Sequence, residues 1–122
     1  MVNKILLIDD DLTLRHVLAD VLSLGGYEIL TADNGNDGVE IAMQTSLDLI
    51  ICDYKMPEMD GYEVIVELQK NQDTAQIPII LATGLDVSKL DDIPVSVSTI
   101  NKPFDVRGLL EAVEKKLSAN CA

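Results

Sequence analysis

Long apolar runs are missing from this chain. No uninterrupted hydrophobic stretch comes near the ~20 residues that a helix needs to cross a bilayer. The first such run, Ile5 to Ile8, is also too short for the core of a signal peptide. A cytoplasmic location without membrane insertion is the simplest expectation. Basic residues are scarce as well: 9 Lys and Arg stand against 21 Asp and Glu, a formal net charge of −12 over 122 residues. A polyanion would be repelled from most of such a surface, so direct nucleic-acid binding is not expected. Metal cations and basic patches on other proteins are the better partners. Cysteine occurs twice, once inside an apolar run at Cys52 and once next to the last residue at Cys121, which argues against a structural disulfide. The single histidine, His16, sits off the apolar stripe of its segment and is expected in solvent. Internal repeats, low-complexity tracts and linkers are absent too. One domain with one sizeable core remains.

What the chain does have is alternation. Its hydrophobic content of 48% and mean hydropathy of +0.20 rule against disorder. Lys4–Ile8 reads as a short strand covered on both faces. Leu14, Val17, Leu18, Val21 and Leu22 follow at the spacing of one helix face, and Gly25-Gly26 stops that helix. Strands are expected over residues 27–32, 47–52, 77–82 and, more weakly, 95–100. Helices are expected over 36–45, 62–70 and 106–117, the last with Val106, Leu109, Leu110, Val113 and Leu117 on one buried face, and one short helix in 85–92. The last residues, 118–122, read as a frayed end beyond a domain spanning 1–117.

Five strand–helix units in this length imply an open α/β sheet with helices on both sides. Right-handed crossovers bring every strand's carboxyl end to one edge, where such sheets bind ligands. Polar residues stand at those ends. Asp9-Asp10-Asp11 close the first strand, Asp53 the third, Thr83 the fourth and Asn101-Lys102 the fifth.

Gathered carboxylates repel, by about 4 kcal/mol for two unit charges ~4 Å apart at an effective dielectric near 20. A bound Mg²⁺ removes the difficulty, because this hard ion takes a few carboxylate oxygens and completes its shell with water. An aspartate can also attack phosphorus to form an aspartyl phosphate, a reaction that needs positioning and charge neutralisation above all. Asp53 is the central candidate. Mg²⁺ on Asp10 and the Lys102 ammonium would neutralise the phosphoryl group, and the Thr83 hydroxyl would donate to it. Asp11 precedes the first helix and is expected as its N-cap or a solvated charge rather than a ligand. Met56-Pro57 and Asp60-Gly61 are read as loop and helix-entry residues, and Cys52 as a small buried side chain facing away from Asp53.

The blocks LLIDDD, IICDYKMPEMDGYE, ILATG and INKPF, in that order and over nearly the whole chain, resemble the signatures of receiver domains in two-component response regulators. The resemblance implies a flavodoxin-like, doubly wound five-stranded parallel sheet of order 2-1-3-4-5 with about five helices. It implies phosphorylation of Asp53 by a sensor histidine kinase or phosphotransfer protein, with Mg²⁺. Metal contacts would come from Asp9, Asp10, Asp53 and the main-chain carbonyl of Lys55. Thr83 and Lys102 would contact the phosphoryl group, with a cis peptide at Lys102-Pro103. The protein would be a phosphoacceptor switch rather than an enzyme, its output a protein docking near residues 85–117. The chain departs from the family pattern at Thr99, where an aromatic residue is common, and at Gly84, where alanine is. The stretch 85–100 is also shorter than usual, so its helix is expected to be stunted.

Two other readings stand beside this one. Asp9-Asp10-Asp11-Leu12-Thr13 fits the D-x-D-x-T block of haloacid-dehalogenase-type Mg²⁺ phosphatases, with Asp9 as nucleophile, but leaves the Asp53 and Lys102 blocks without a role. A receiver-like module that docks without ever being phosphorylated is the other.

Overall fold

The structure, a computed structural model, describes residues 2–84, 97–101 and 105–119. Five parallel strands, β1 (Lys4–Ile8), β2 (Glu28–Ala32), β3 (Leu49–Asp53), β4 (Ile79–Thr83) and β5 (Val97–Asn101), form one sheet in the order β2-β1-β3-β4-β5. That is the expected order. β3 and β4 are buried at every position, whereas β2, at the sheet's edge, buries only Ala32 fully. The continuous apolar runs of the inner strands follow from cover on both faces.

The helices are α1 (Leu12–Leu24), α2 (Gly35–Gln44), α3 (Gly61–Gln69), the single turn α4 (Gln72–Ala75) and α5 (Val106–Ala119). Strand alternation divides the core in two. Leu6, Ile8, Ile50, Cys52, Ile79 and Leu81 face α2 and α3 through Val39, Val64, Ile65 and Leu68. Ile5, Leu7, Leu49, Ile51 and Ile80 face α1 and α5 through Leu18, Leu22, Leu109 and Val113. Fully burying one such side chain contributes about 1.5–3 kcal/mol.

Helix ends follow local chemistry. Asp11 caps α1, its carboxylate accepting from the Leu14 amide at 3.1 Å, the first of the two roles expected for it. Gly26, at φ 93°, takes the left-handed conformation that ends this helix. Asn34 caps α2, which therefore starts at Gly35 rather than at 36. Asp60 and Glu63 form a capping box on α3.

Four expectations need correction. Val17 is 48% exposed, because the buried stripe of α1 centres on Leu18 and Leu22 and Val17 lies about 100° round the helix from Leu18. Val106 is likewise 43% exposed, standing in the first turn of α5 before its buried face begins at Leu109. The turn α4 was not expected, since its residues carry no apolar period; Asn71 caps it and the buried Thr74 hydroxyl donates to Leu68 O at 2.6 Å. α5 also runs two residues past the expected end at 117. The short helix expected in 85–92 lies outside the described residues.

Candidate functional site

The carboxyl ends of β1, β3 and β4 meet at one edge of the sheet. β1 and β3 are in register from Ile5↔Leu49 to Ile8↔Cys52, so the next pair along is Asp9 and Asp53. Leu7 and Ile51 face α1 and α5, and two residues on, Asp9 and Asp53 leave their strands on that same side. The Asp9 amide donates to Ala32 O at 3.1 Å, so pairing with β2 reaches this residue.

Asp9, Asp10 and Asp53 each offer a carboxylate oxygen, and the three lie within 4.8 Å of one another. Asp9 is 3% exposed and Asp53 7%, while Asp10 is open to solvent. Hard oxygen donors at this spacing suit a small divalent cation, whose ~2.0–2.1 Å bonds allow oxygens on opposite sides of it to stand about 4 Å apart. The exposed flank at Asp10 leaves room for water to complete the shell. Asp11 belongs to the support rather than the cluster. Its amide donates to Asp9 Oδ1 at 2.9 Å while its own side chain caps α1. Arg15 reaches back from α1, and its Nη1 donates to Asp9 O at 2.8 Å.

The loop after Asp53 is held tightly. The Gly61 amide donates to Tyr54 O at 2.7 Å, and Glu58 turns the chain at φ 69°. Met56 was expected as a loop residue; it is 7% exposed and packs into the α2/α3 core. Met59 packs against the same core, over Gly35. A lone apolar residue in a polar loop has no period, so neither anchor stood out in the sequence. Arg15 was missed for the same reason, as one cation within a helix.

Thr83 ends β4, 2% exposed, one residue beyond Ala82, the partner of Asp53. Lys55 stands two residues past Asp53 with its side chain exposed. Thr99 is exposed on β5, opposite Leu81. Lys102 and the Lys102-Pro103 peptide lie outside the described residues. Cys52 faces away from Asp53, as expected, with 0% exposure. Burial, reinforced by the carboxylates of Asp53, Asp9 and Asp60, pushes its thiol pKa far up, so it stays protonated. His16 is exposed. Among the described residues, no helix is long and apolar enough to cross a membrane.

Comparison with known proteins agrees with this geometry. The family model described as "Response regulator receiver domain" matches residues 5–114. The chemotaxis protein CheY of Bacillus subtilis is 34% identical over 120 residues, covering 97% of this chain and 100% of its own. The probable transcriptional regulator ycf27 of Cyanidium caldarium is 36% identical over 118 residues, but those cover 94% of this chain and only 46% of that protein. The chain thus spans about half the length of several curated relatives it matches. Among solved structures, the receiver domain of a signal transduction histidine kinase from Syntrophus aciditrophicus superposes with a TM-score of 0.88 at 33% identity, covering 98% of this chain and 92% of that one. The chain belongs to the response regulator receiver domain family.

Proposed function

We propose that this protein is a phosphorylation-dependent switch of two-component signalling in which Asp53 is the phosphoacceptor. The observation that carries the reading is the common reach of Asp9, Asp10 and Asp53 at the edge where β1 and β3 end. In the reaction, an Asp53 carboxylate oxygen attacks the phosphorus of a phosphohistidine on a sensor kinase or phosphotransfer protein. The P–N bond breaks, its electron pair stays on the imidazole nitrogen, and an acyl phosphate remains on Asp53. Asp9, Asp10, Asp53 and the Lys55 main-chain carbonyl would hold a Mg²⁺ ion, which when bound would supply positive charge to neutralise the phosphoryl oxygens. The Thr83 hydroxyl donates to one of those oxygens, and the Lys102 ammonium pairs with another.

The phosphoryl group adds about −1.5 to −2 charge and strong acceptors to this edge. Moving a two-state equilibrium from 1:99 to 99:1 takes about 5.5 kcal/mol, and charge-assisted hydrogen bonds at roughly 1.5–3 kcal/mol each supply that with a few contacts. Thr83 and Lys102 are drawn towards the phosphoryl group, and a downstream protein docks near residues 85–117. The net charge of −12 favours a docking site with basic character.

The test is incubation with acetyl phosphate and Mg²⁺, followed by borohydride reduction and peptide mass mapping. Modification of Asp53 supports the switch, and modification of Asp9 would support the haloacid-dehalogenase reading instead. No modification, under conditions that modify a control receiver, would leave a docking module that is not phosphorylated.

A further inference from the structure

Hydrogen bonds to other described residues hold Asp9 on several sides. Its amide donates to Ala32 O at 3.1 Å, its Oδ1 accepts from the Asp11 amide at 2.9 Å, and its carbonyl accepts from Arg15 Nη1 at 2.8 Å. The first continues the sheet and the second belongs to the turn. The third comes from a side chain six residues on, in the first turns of α1.

The amino terminus of a helix carries partial positive charge and disfavours a cation, whereas the acids of the site, and Asp33, Asp37 and Glu40, which line one cavity with Arg15, favour one. Charge alone therefore does not fix where the guanidinium points; its hydrogen bond to the Asp9 carbonyl does. The Asp9 carbonyl belongs to a 3%-exposed residue just where β1 gives way to the turn, and a buried carbonyl without a partner is costly. A helical side chain leans back towards the amino terminus, which is the direction Arg15 takes.

We propose that Arg15 is a positioning residue for the cation site: by holding the Asp9 carbonyl it fixes the bend between β1 and α1, so that the carboxylates of Asp9 and Asp10 face Asp53. Arg15 touches neither the ion nor the phosphoryl group; it acts through Asp9. This inference rests on the reading of Asp9, Asp10 and Asp53 as a Mg²⁺ site.

Electrostatics and positioning predict opposite signs for one substitution. Arg15→Met keeps the aliphatic stem and removes the charge. If Arg15 were a bystander, losing a cation beside the site would tighten Mg²⁺ binding. As a positioning residue, its loss loosens binding. The experiment is a calorimetric Mg²⁺ titration of the wild type, Arg15→Met and Arg15→Lys, with amide hydrogen exchange at Asp11 measured in Mg²⁺-free protein. Arg15→Met is expected to raise the Kd for Mg²⁺ about tenfold and to speed exchange of the Asp11 amide, with thermal unfolding shifted by only a few degrees. Arg15→Lys keeps the charge without the planar fork and is expected to raise the Kd by a smaller factor, about threefold. Binding by Arg15→Met as tight as the wild type, or tighter, overturns the inference while the cation site stands. A wild type that takes up no Mg²⁺ overturns the cation site and this inference with it. Should Arg15→Met fail to fold, Arg15→Lys decides: a raised Kd supports the role and an unchanged one overturns it.

Discussion

Gly61 presses against the carbonyl of Asp53: a Cβ on Gly61 would stand 2.8 Å from Asp53 O, 2.9 Å from Tyr54 Cα and 2.5 Å from Leu81 Cδ1. Two of these atoms are backbone and cannot swing aside. Gly61→Ala therefore has to push the first turn of α3 away from the end of β3, at a cost of about 1–3 kcal/mol. Because the displaced atoms belong to Asp53 and its neighbour, Mg²⁺ affinity should fall along with stability. A urea unfolding midpoint close to that of the wild type would show that α3 has room to spare beside β3.

The two sides of α1 separate core from surface. Leu18 is 4% exposed and Val17 48%. Leu18→Ala is expected to cost about 2–5 kcal/mol through lost burial and the cavity left behind. Val17→Ala, on the outer face, should change stability by no more than about 0.5 kcal/mol. Equal losses in the two variants would mean that α1 is rotated about its axis, with both side chains turned partly towards the sheet.

Asp60 and Glu63 satisfy each other's amides at the start of α3, at 2.9 Å and 3.2 Å. Asp60→Ala removes the side-chain acceptor for the Glu63 amide and should cost about 1 kcal/mol, within a range of 0.5–2. The hydrogen-exchange protection of the first turn of α3 should fall while that of β3 holds.

Cys52 carries a pH prediction. Its thiol pKa is raised in the folded chain by burial first and by neighbouring carboxylates second. The folded state thus holds a proton that the unfolded state gives up above pH ~8.5. The stabilisation is complete below that pH and declines as pH rises from there towards the raised folded value. In the folded protein at pH 8, Cys52 should resist iodoacetamide and react once urea unfolds the chain. Rapid alkylation of Cys52 itself in the folded protein, located by peptide mass so that Cys121 is counted apart, would contradict the burial.

The arrangement of the strands was largely legible because parallel inner strands need apolar side chains on both faces. The apolar run Lys4–Ile8 coincides with β1, whereas the runs that begin at Leu47 and Ile77 start two residues before β3 and β4, since both are apolar residues that precede the ladder. The acids at strand ends were legible as well, since a carboxylate that ends a buried strand has few structural explanations. What the sequence hid was any role resting on a single residue. Met56 and Met59 pin the loop after Asp53, yet each stands alone among polar neighbours. Arg15 looks like an ordinary helix-surface cation until its distance to Asp9 O is known. Val17 misled for the opposite reason: it fits the apolar period, but packing with the sheet selects only part of that stripe.

The central claim is that Asp9, Asp10 and Asp53 share one divalent ion. Mn²⁺, which takes the oxygen sites of Mg²⁺ and scatters anomalously, locates such an ion directly in crystals of this protein. A shared ion predicts one strong anomalous peak in bonding contact with oxygens of all three aspartates, lost in Asp10→Asn crystals. A peak bound elsewhere, with these carboxylates left without an ion at saturating Mn²⁺, would contradict it.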